Sequence, residues 1–411
     1  MIDLTLLREN PQLLEEAAKN KRIILDVAHI VHIDEAYRKL LIEVQSLREI
    51  RNKLAKDRDI EGGKKIKGEL DQKEHALTAL KDELDTLLLS IPNPAKDDVK
   101  VGKDESENDV IRTFSEPRKF SFKPKDHVEI GESLDIIDIE RATKVSGARF
   151  FYLKNEGVLL EFAIVQYALS VLMKEGFTPI ISPDLIKRET MRGLGYMENG
   201  GEEDMFVIPS DDLVLVGTAE HALVPMHKDE VLDTAKLPLR YVGFSNAYRR
   251  EAGSYGKDTK GILRVHQFDK VEMVSFVKKG QDDQENEYLL GLEEQLFQGL
   301  EIPYQVIKMC TGDLGFPAAR KYDIEAWIPS QEKYREVTSV STVTDFQSRR
   351  LKIRYKEADT TEYVSVLNGT AFAIGRTLIA ILENYQQEDG SVIIPDVLRP
   401  FMGGKEVISP R

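Results

Sequence analysis

The chain has 411 residues, 41% of them hydrophobic, which allows two domains and a sizeable core and excludes global disorder. A formal charge of −14 argues against a general nucleic-acid coat, because binding phosphate needs net positive surface, but it leaves room for a local basic patch. The single cysteine, Cys310, excludes an intramolecular disulfide and any multi-cysteine zinc cluster, and no histidines show H-E-x-x-H spacing, so no zinc is expected.

Residues 1–25 are mostly helical in pattern, with Leu4, Leu7, Leu14 and Ala17 as apolar contacts and Pro11 suited to a helix start. Two heptad series follow. Ile33, Tyr37, Leu40, Val44, Leu47, Arg51 and Leu54 step by four and three; Leu70, Lys73, Leu77, Leu80, Leu84, Leu87 and Ile91 do the same. The series mirror each other about Gly62-Gly63. This predicts an antiparallel helical hairpin turning at the glycine pair, with Arg51 opposite Lys73 in one doubly basic layer. Around the tip, Lys53, Lys56, Arg58, Lys64, Lys65 and Lys67 outnumber Asp57, Asp59 and Glu61. A solvated helix end and an arm for an RNA backbone both fit such a tip.

Ser90-Ile-Pro-Asn-Pro stops the second helix. The expected organisation is a helical arm over 1–100, a linker over 101–125 and a mixed unit over 126–411. In the last, helices are predicted at 157–174, 283–298 and 373–385. Strands are predicted at 178–181, 206–208, 213–216, 322–328, 334–339, 350–355 and 363–368, with Thr218 near a helix N-cap. Antiparallel strands with helices before and after argue for α+β rather than a doubly wound sheet. No apolar run reaches membrane-spanning length and no signal-peptide core opens the chain, so a cytoplasmic protein without a membrane partner is expected.

The stretch from Phe244 to Val274 carries the densest chemistry. Two apolar-rich runs flank a polar loop with Gly253, Gly256 and Gly261, which predicts a β-hairpin. Alternation would put Arg264, His266, Phe268, Lys270 and Glu272 on one face, and Arg249 with Glu251 on one face. A charged face usually means solvent. Here it includes an aromatic ring, which also suits a flat base stacked on Phe268 with phosphates near Arg249. No G-x-x-x-x-G-K-[ST] or G-x-G-x-x-G loop occurs, so a nucleotide would be held by side chains on a sheet. Arg249 and Arg376 offer suitable forks, although Arg376 alone would equally be a surface arginine. Glu336 and Ser339 are hard oxygen donors suited to Mg²⁺. In a regular strand they would face opposite ways, so joint binding requires a bulge between them.

These pieces together resemble the bacterial-type seryl-tRNA synthetases, a family of class II aminoacyl-tRNA synthetases. The resemblance runs nearly end to end, from M-I-D-L-T-L-L-R-E-N-P through the helical hairpin, I-P-N-P, V-G-K-D-E-S-E-N, D-H-V-E-I-G-E and K-V-S-G-A-R-F. G-F-T-P-I-I-S-P looks like motif 1, Y-R-R-E with H-Q-F-D-K-V-E like motif 2, and N-G-T-A-F-A-I-G-R-T like motif 3. T-A-E at 218–220 and D-F-Q-S-R-R at 345–350 also match.

The resemblance implies an antiparallel class II sheet flanked by helices, with an N-terminal coiled-coil arm. It implies activation of L-serine with ATP to seryl-adenylate and pyrophosphate, then transfer to the 3′ end of tRNA(Ser), with tRNA(Sec) a further candidate. Serine would be bound by Thr218, Ala219, Glu220, Arg249, Glu272 and Thr370. ATP would meet Arg249, Arg250, Glu251, Arg264, Glu336, Val337, Thr338 and Ser339, with Phe268 as the adenine plate and Arg376 at the γ-phosphate. Glu336 and Ser339 would hold Mg²⁺, and Arg249, Glu251 and Arg376 form the implied catalytic set. The arm, through Lys53, Lys56, Arg58, Lys64, Lys65 and Lys67, would grip the long variable arm of the tRNA. Motif 1 implies a homodimer through the catalytic domain.

The chain departs from the family at Thr338, Val340 and Thr342, where Ser, Cys and often Asn are usual. Arg250 stands where Ser is frequent, Thr370 replaces a common Ser, and the arm is shorter than usual. Two other readings are a serine-adenylating paralogue that loads a non-tRNA acceptor, and an interaction module on a dead catalytic domain. Intact Arg249, Glu251, Glu272, Glu336 and Arg376 speak against the last.

Overall fold

The computed structural model describes residues 2–198, 200–252 and 260–411. It divides into two compact units that meet in sequence between Pro94 and Ala95.

In the first unit, α1 (Leu4–Glu9) and α2 (Pro11–Asn20) precede two 30-residue helices, α3 (Val27–Lys56) and α4 (Ile60–Leu89). At 1.5 Å per residue each long helix spans about 45 Å. Asn10 caps α2 through Leu13 N, and Pro11 sits at its first turn, where the missing N–H costs nothing. Of the heptad positions, Ile33, Leu84 and Ile91 pack in one cluster with Ile30 and Leu88, Leu87 being only partly buried beside it, and Val44, Leu47 and Leu70 pack in another. Buried Asp34 ties α1 to α3, accepting from Arg8 (2.8 and 2.9 Å) and from Arg38 (2.9 Å). Burial favours its neutral form, but the two guanidinium groups hold its pKa below the usual carboxylate value.

The turn lies elsewhere than the glycine pair suggested. α3 continues to Lys56, the chain reverses through Asp57–Asp59, and Gly62 and Gly63 lie in the first turns of α4. Asp59 decides this, because its Oδ1 caps α4 by accepting from Gly62 N at 2.9 Å. A Cβ on Gly62 would stand 2.5 Å from Asp59 Oδ2, so this glycine admits the cap rather than making the turn. The helix register moves with it. Lys73 pairs with Glu43 at 2.6 Å instead of opposing Arg51, which is exposed, so the doubly basic layer does not form.

The second unit is built on one sheet. Its strands are β1 (Asp109–Phe114), β2 (Thr178–Ile181), β3 (Leu239–Tyr248), β4 (Gln267–Val277), β5 (Tyr304–Lys308), β6 (Arg320–Ile328), β7 (Lys333–Thr342) and β8 (Ser365–Ala373). They lie in the order β1-β5-β6-β7-β8-β4-β3-β2, antiparallel throughout except for β2 beside β3. Every residue of β8 is buried, as befits a strand at the centre of the sheet. The stretch expected as a linker thus supplies edge strand β1, paired with β5 from Asp109↔Lys308 to Phe114↔Tyr304.

Helices α5 (Glu156–Leu172), α7 (Asp282–Gly299) and α9 (Ile374–Tyr385) share the main apolar core with the sheet through Leu160, Ile164, Leu289, Phe297, Leu378 and Ile381. Short α6 (Glu220–Leu223) follows the T-A-E segment, and α8 is Phe346–Leu351. The strand expected at 350–355 begins only at Arg354. D-F-Q-S-R-R-L folds as α8 because it buries Phe346, Gln347, Ser348 and Leu351, and Arg349 pairs back to Asp345 at 2.8 Å.

The hairpin of β3 and β4 closes with Tyr248 opposite Gln267. Arg249–Glu251 and Arg264–His266 therefore lie beyond the paired strands, and Glu251 has φ +53°. Their convergence comes from loop geometry, not from the strand alternation expected. Gly253 and Gly256 lie outside the described residues; Gly261 has φ +78°.

Candidate active site

A cavity of about 420 Å³ opens on the sheet above β4, β7 and β8. Two groups of side chains meet in it.

The first gathers around Gly217-Thr218-Ala219-Glu220. Gly217 is held on both sides: its N–H donates to His221 Nδ1 at 3.1 Å, and its carbonyl accepts from Arg249 Nε and Nη2, each at 3.2 Å. Burial, then Arg249 and Lys270, lower the His221 pKa to about 3, so the ring stays neutral and keeps Nδ1 as an acceptor. Glu220 is 2% exposed and accepts from Tyr196 Oη and Gln347 Nε2. Lys270 Nζ bridges Glu272 Oε2 at 2.6 Å and Thr218 Oγ1 at 3.2 Å. Glu272 pairs across the sheet with Thr370, and its Oε1 accepts from Asn368 Nδ2 at 3.0 Å.

The second group surrounds Phe268 and Arg376. The Arg249 guanidinium stands 5.4 Å from the Phe268 ring centroid, a cation–π distance. Arg264 Nη1 pairs with Glu251 at 2.6 Å. Arg376, in the first turn of α9, pairs through Nη1 with Glu336 Oε2 at 3.0 Å and donates to the Glu336 carbonyl at 3.1 Å. Burial alone would raise the Glu336 pKa, but Arg376, Lys321 and Arg249 hold it down to about 2, so the carboxylate is ionised.

Between Glu336 and Ser339 the β6–β7 register slips. Thr338 opposes Ile324 while Glu336 opposes Glu325, leaving Val337 as the extra residue. This is the bulge that joint use of the two donors requires, and both line the cavity. An ionised carboxylate and a hydroxyl brought to one face fit a hard divalent cation.

Thr218, Glu220, Arg249 and Thr370 line the cavity, as do Glu251, Arg264, Phe268, Val337, Thr338 and Arg376. Three expected residues do not. Ala219 is wholly buried behind the loop. Glu272 has no exposed surface and sits behind Lys270 and Asn368. Arg250 points outward, its guanidinium 5.7 Å from the Phe206 ring, because its backbone N–H is tied to the Asp204 carbonyl at 2.9 Å.

The structure adds Tyr196, His221, Lys270, Lys321, Gln347 and Asn368 to the site. Gln347 and Asn368 lie inside matched motifs, and His221 directly follows T-A-E, so those signals were at hand. Nothing in the sequence placed Tyr196 or Lys321 there. In the first unit, the six basic tip residues are all exposed. Val340 and Thr342 turn away from the cavity: Val340 is in the main core, and Thr342 Oγ1 lies 3.2 Å from Asp282 Oδ2 on α7.

An antiparallel sheet carrying an arginine at the hairpin, a bulged Glu–Ser pair and an arginine at a helix start defines a class II aminoacyl-tRNA synthetase core. Residues 206–385 match the family model of the tRNA synthetase class II core domain (G, H, P, S and T), and residues 1–95 match that of the seryl-tRNA synthetase N-terminal domain. The chain is 43% identical to the serine–tRNA ligase of Dictyoglomus turgidum, covering 99% of each chain, and 44% identical to that of Fervidobacterium nodosum, covering 100% of each. A crystal structure of seryl-tRNA synthetase from Pyrococcus horikoshii complexed with ATP superposes with a TM-score of 0.93 at 40% identity over 100% of both chains. The chain belongs to the seryl-tRNA synthetase family.

Proposed function

We propose that the protein activates L-serine with ATP to seryl-adenylate and pyrophosphate and then transfers serine to the 3′ end of tRNA(Ser) in the cytoplasm. The observation that carries this reading is the position of Arg249. One guanidinium both grips the loop of Thr218 and Glu220 and faces the ring of Phe268, so it spans the two halves of the cavity.

In this reading Glu220 meets the serine ammonium and Arg249 its carboxylate, while Thr370 and Lys270, which Glu272 holds from behind, supply polar partners for the hydroxyl. Such partners discriminate strongly against analogues lacking the hydroxyl, since they would be left buried and unpaired. Phe268 stacks the adenine. A serine carboxylate oxygen forms a bond to the α-phosphorus as the bond to the bridging oxygen breaks, and pyrophosphate leaves. The nucleophile is already anionic, so no general base is needed, and Arg249 neutralises the charge that builds at the α-phosphate. Arg376 turns from Glu336 towards the γ-phosphate. When bound, Mg²⁺ would neutralise phosphate charge, with Glu336 and Ser339 as its protein ligands. Glu251 holds Arg264 towards the nucleotide. In the second step the terminal ribose hydroxyl of the tRNA attacks the seryl carbonyl and AMP leaves.

The exposed Lys53, Lys56, Arg58, Lys64, Lys65 and Lys67 form the tRNA-gripping tip. A homodimer is supported by the resemblance at motif 1 and by apolar side chains left in solvent, namely Leu159 and Phe162 on one face of α5 and Ile181 on edge strand β2.

Serine-dependent ATP–pyrophosphate exchange followed by charging of tRNA(Ser) tests the proposal. Both should occur. Exchange without charging would favour a paralogue with another acceptor, and absence of exchange would overturn the activation chemistry.

A further inference from the structure

Glu220 is a carboxylate in a demanding position. It is 2% exposed, and among the described residues no cation is ion-paired with it. A buried charge without a cation survives only on hydrogen bonds. Tyr196 Oη lies 2.9 Å from Oε1 and 3.1 Å from Oε2, and Gln347 Nε2 lies 2.9 Å from Oε1. These two side chains come from separate places, Tyr196 from the segment after residue 195 and Gln347 from the first turn of α8.

Each donor is itself fixed. The Tyr196 ring packs against His221 with centroids 4.7 Å apart, and burial pushes its phenol well above its usual pKa, so it stays a donor. Gln347 is wholly buried and its Nε2 also reaches the Leu194 carbonyl at 3.4 Å. An amide turned the other way would set its oxygen against the carboxylate, so Glu220 selects its orientation.

We propose that Tyr196 and Gln347 are positioning residues that keep the Glu220 carboxylate ionised and aimed at the ammonium group of bound serine. The inference rests on the serine reading of this site. The other charged groups near Glu220 are Glu272 and Lys270, both on β4, which act in opposite directions; neighbouring His221 is held neutral. Burial pushes Glu220 up to about 7 even with both donors present, with Glu272 adding to the rise. Serine binding near neutrality must therefore expel a proton from part of the population, and losing a donor must enlarge that part.

The test is calorimetric titration of the full-length protein with serine at pH 8, in buffers of different ionisation enthalpy. This counts protons released without requiring turnover. The unaltered protein should release close to none. Tyr196→Phe and Gln347→Leu, which keep shape and lose the donor, should each raise release to about half a proton, as one charge-assisted hydrogen bond is worth roughly a tenfold change in acid dissociation. In exchange assays their KM for serine should rise roughly fivefold at pH 7 and recover at higher pH, with KM for ATP little changed. Proton release equal to that of the unaltered protein in both variants would overturn the inference alone. Failure of the unaltered protein to bind serine would overturn the serine reading and the inference with it. If one variant does not fold, the other decides.

Discussion

Replacing Arg249 separates its two tasks, which can be weighed from its contacts. In Arg249→Ala the buried Gly217 carbonyl loses both hydrogen bonds, each 3.2 Å long, and Phe268 loses the cation 5.4 Å from its centroid. An orphaned buried carbonyl costs about 1–3 kcal/mol of stability. Loss of a preorganised donor at the developing charge costs about 2.7–4 kcal/mol of transition-state stabilisation, or 10²–10³-fold in kcat. Arg249→Lys keeps a cation that can still reach Gly217 but has no flat fork. It should regain most of the stability while pyrophosphate exchange stays at least tenfold down. Urea denaturation beside exchange kinetics measures both. Exchange within a few-fold of the unaltered protein in Arg249→Ala would refute the reasoning. So would an Arg249→Lys variant that recovered activity and stability together.

Three further outcomes follow from particular side chains. Replacing Lys53, Lys56, Lys64 and Lys65 by serine should leave exchange unchanged and weaken tRNA binding, with the slope of log K against log salt falling by about 0.7–0.9 for each phosphate no longer neutralised, as read by filter binding. Asp98 is held at about 2, below the usual 3.8, because Arg320 and Lys308 outweigh its burial. Its stabilisation is therefore present above about pH 4 and disappears as pH falls towards 2, and Asp98→Asn should flatten that part of the stability profile. Gly369→Ala would bring a Cβ to 2.9 Å from Glu293 Oε1 and 3.2 Å from both Met273 Cε and Val340 Cγ2. Overpacking should cost about 1–3 kcal/mol in denaturant unfolding and raise KM for serine through neighbouring Thr370.

Periodicity carried the long helices, because their apolar seam repeats over many turns. It misplaced the hairpin, because Gly62-Gly63 read as a break whereas the Asp59 cap sets the turn. Order along the chain identified the cavity residues, yet strand alternation could not explain Arg249 or Arg264, which lie past the last paired residues. The need for a bulge between Glu336 and Ser339 was legible, since their odd spacing forbids a shared face in a regular strand. Its position at Val337 was not, because register belongs to the pair of strands. Lys270 and Glu272 looked equivalent on one face; only packing shows that the lysine meets the cavity and the glutamate stands behind it. Asp109–Phe114, between charged and proline-rich flanks, becomes a strand only through its partner β5.

The slip at Val337 works as a change of phase along one strand. Glu336, Ser339 and Ser341 answer to the cavity, whereas Val340 and Thr342, one step off, answer to the packing of α7. Tolerance to substitution should therefore alternate along this strand, with charge and hydroxyl chemistry governing one set and side-chain volume the other. Pairing the same residues without the slip would exchange the two sets on one side of it, turning core side chains towards the nucleotide or its ligands into the core. Exchanges at 340 and 342 can then accumulate in the family without altering the chemistry a few ångströms away.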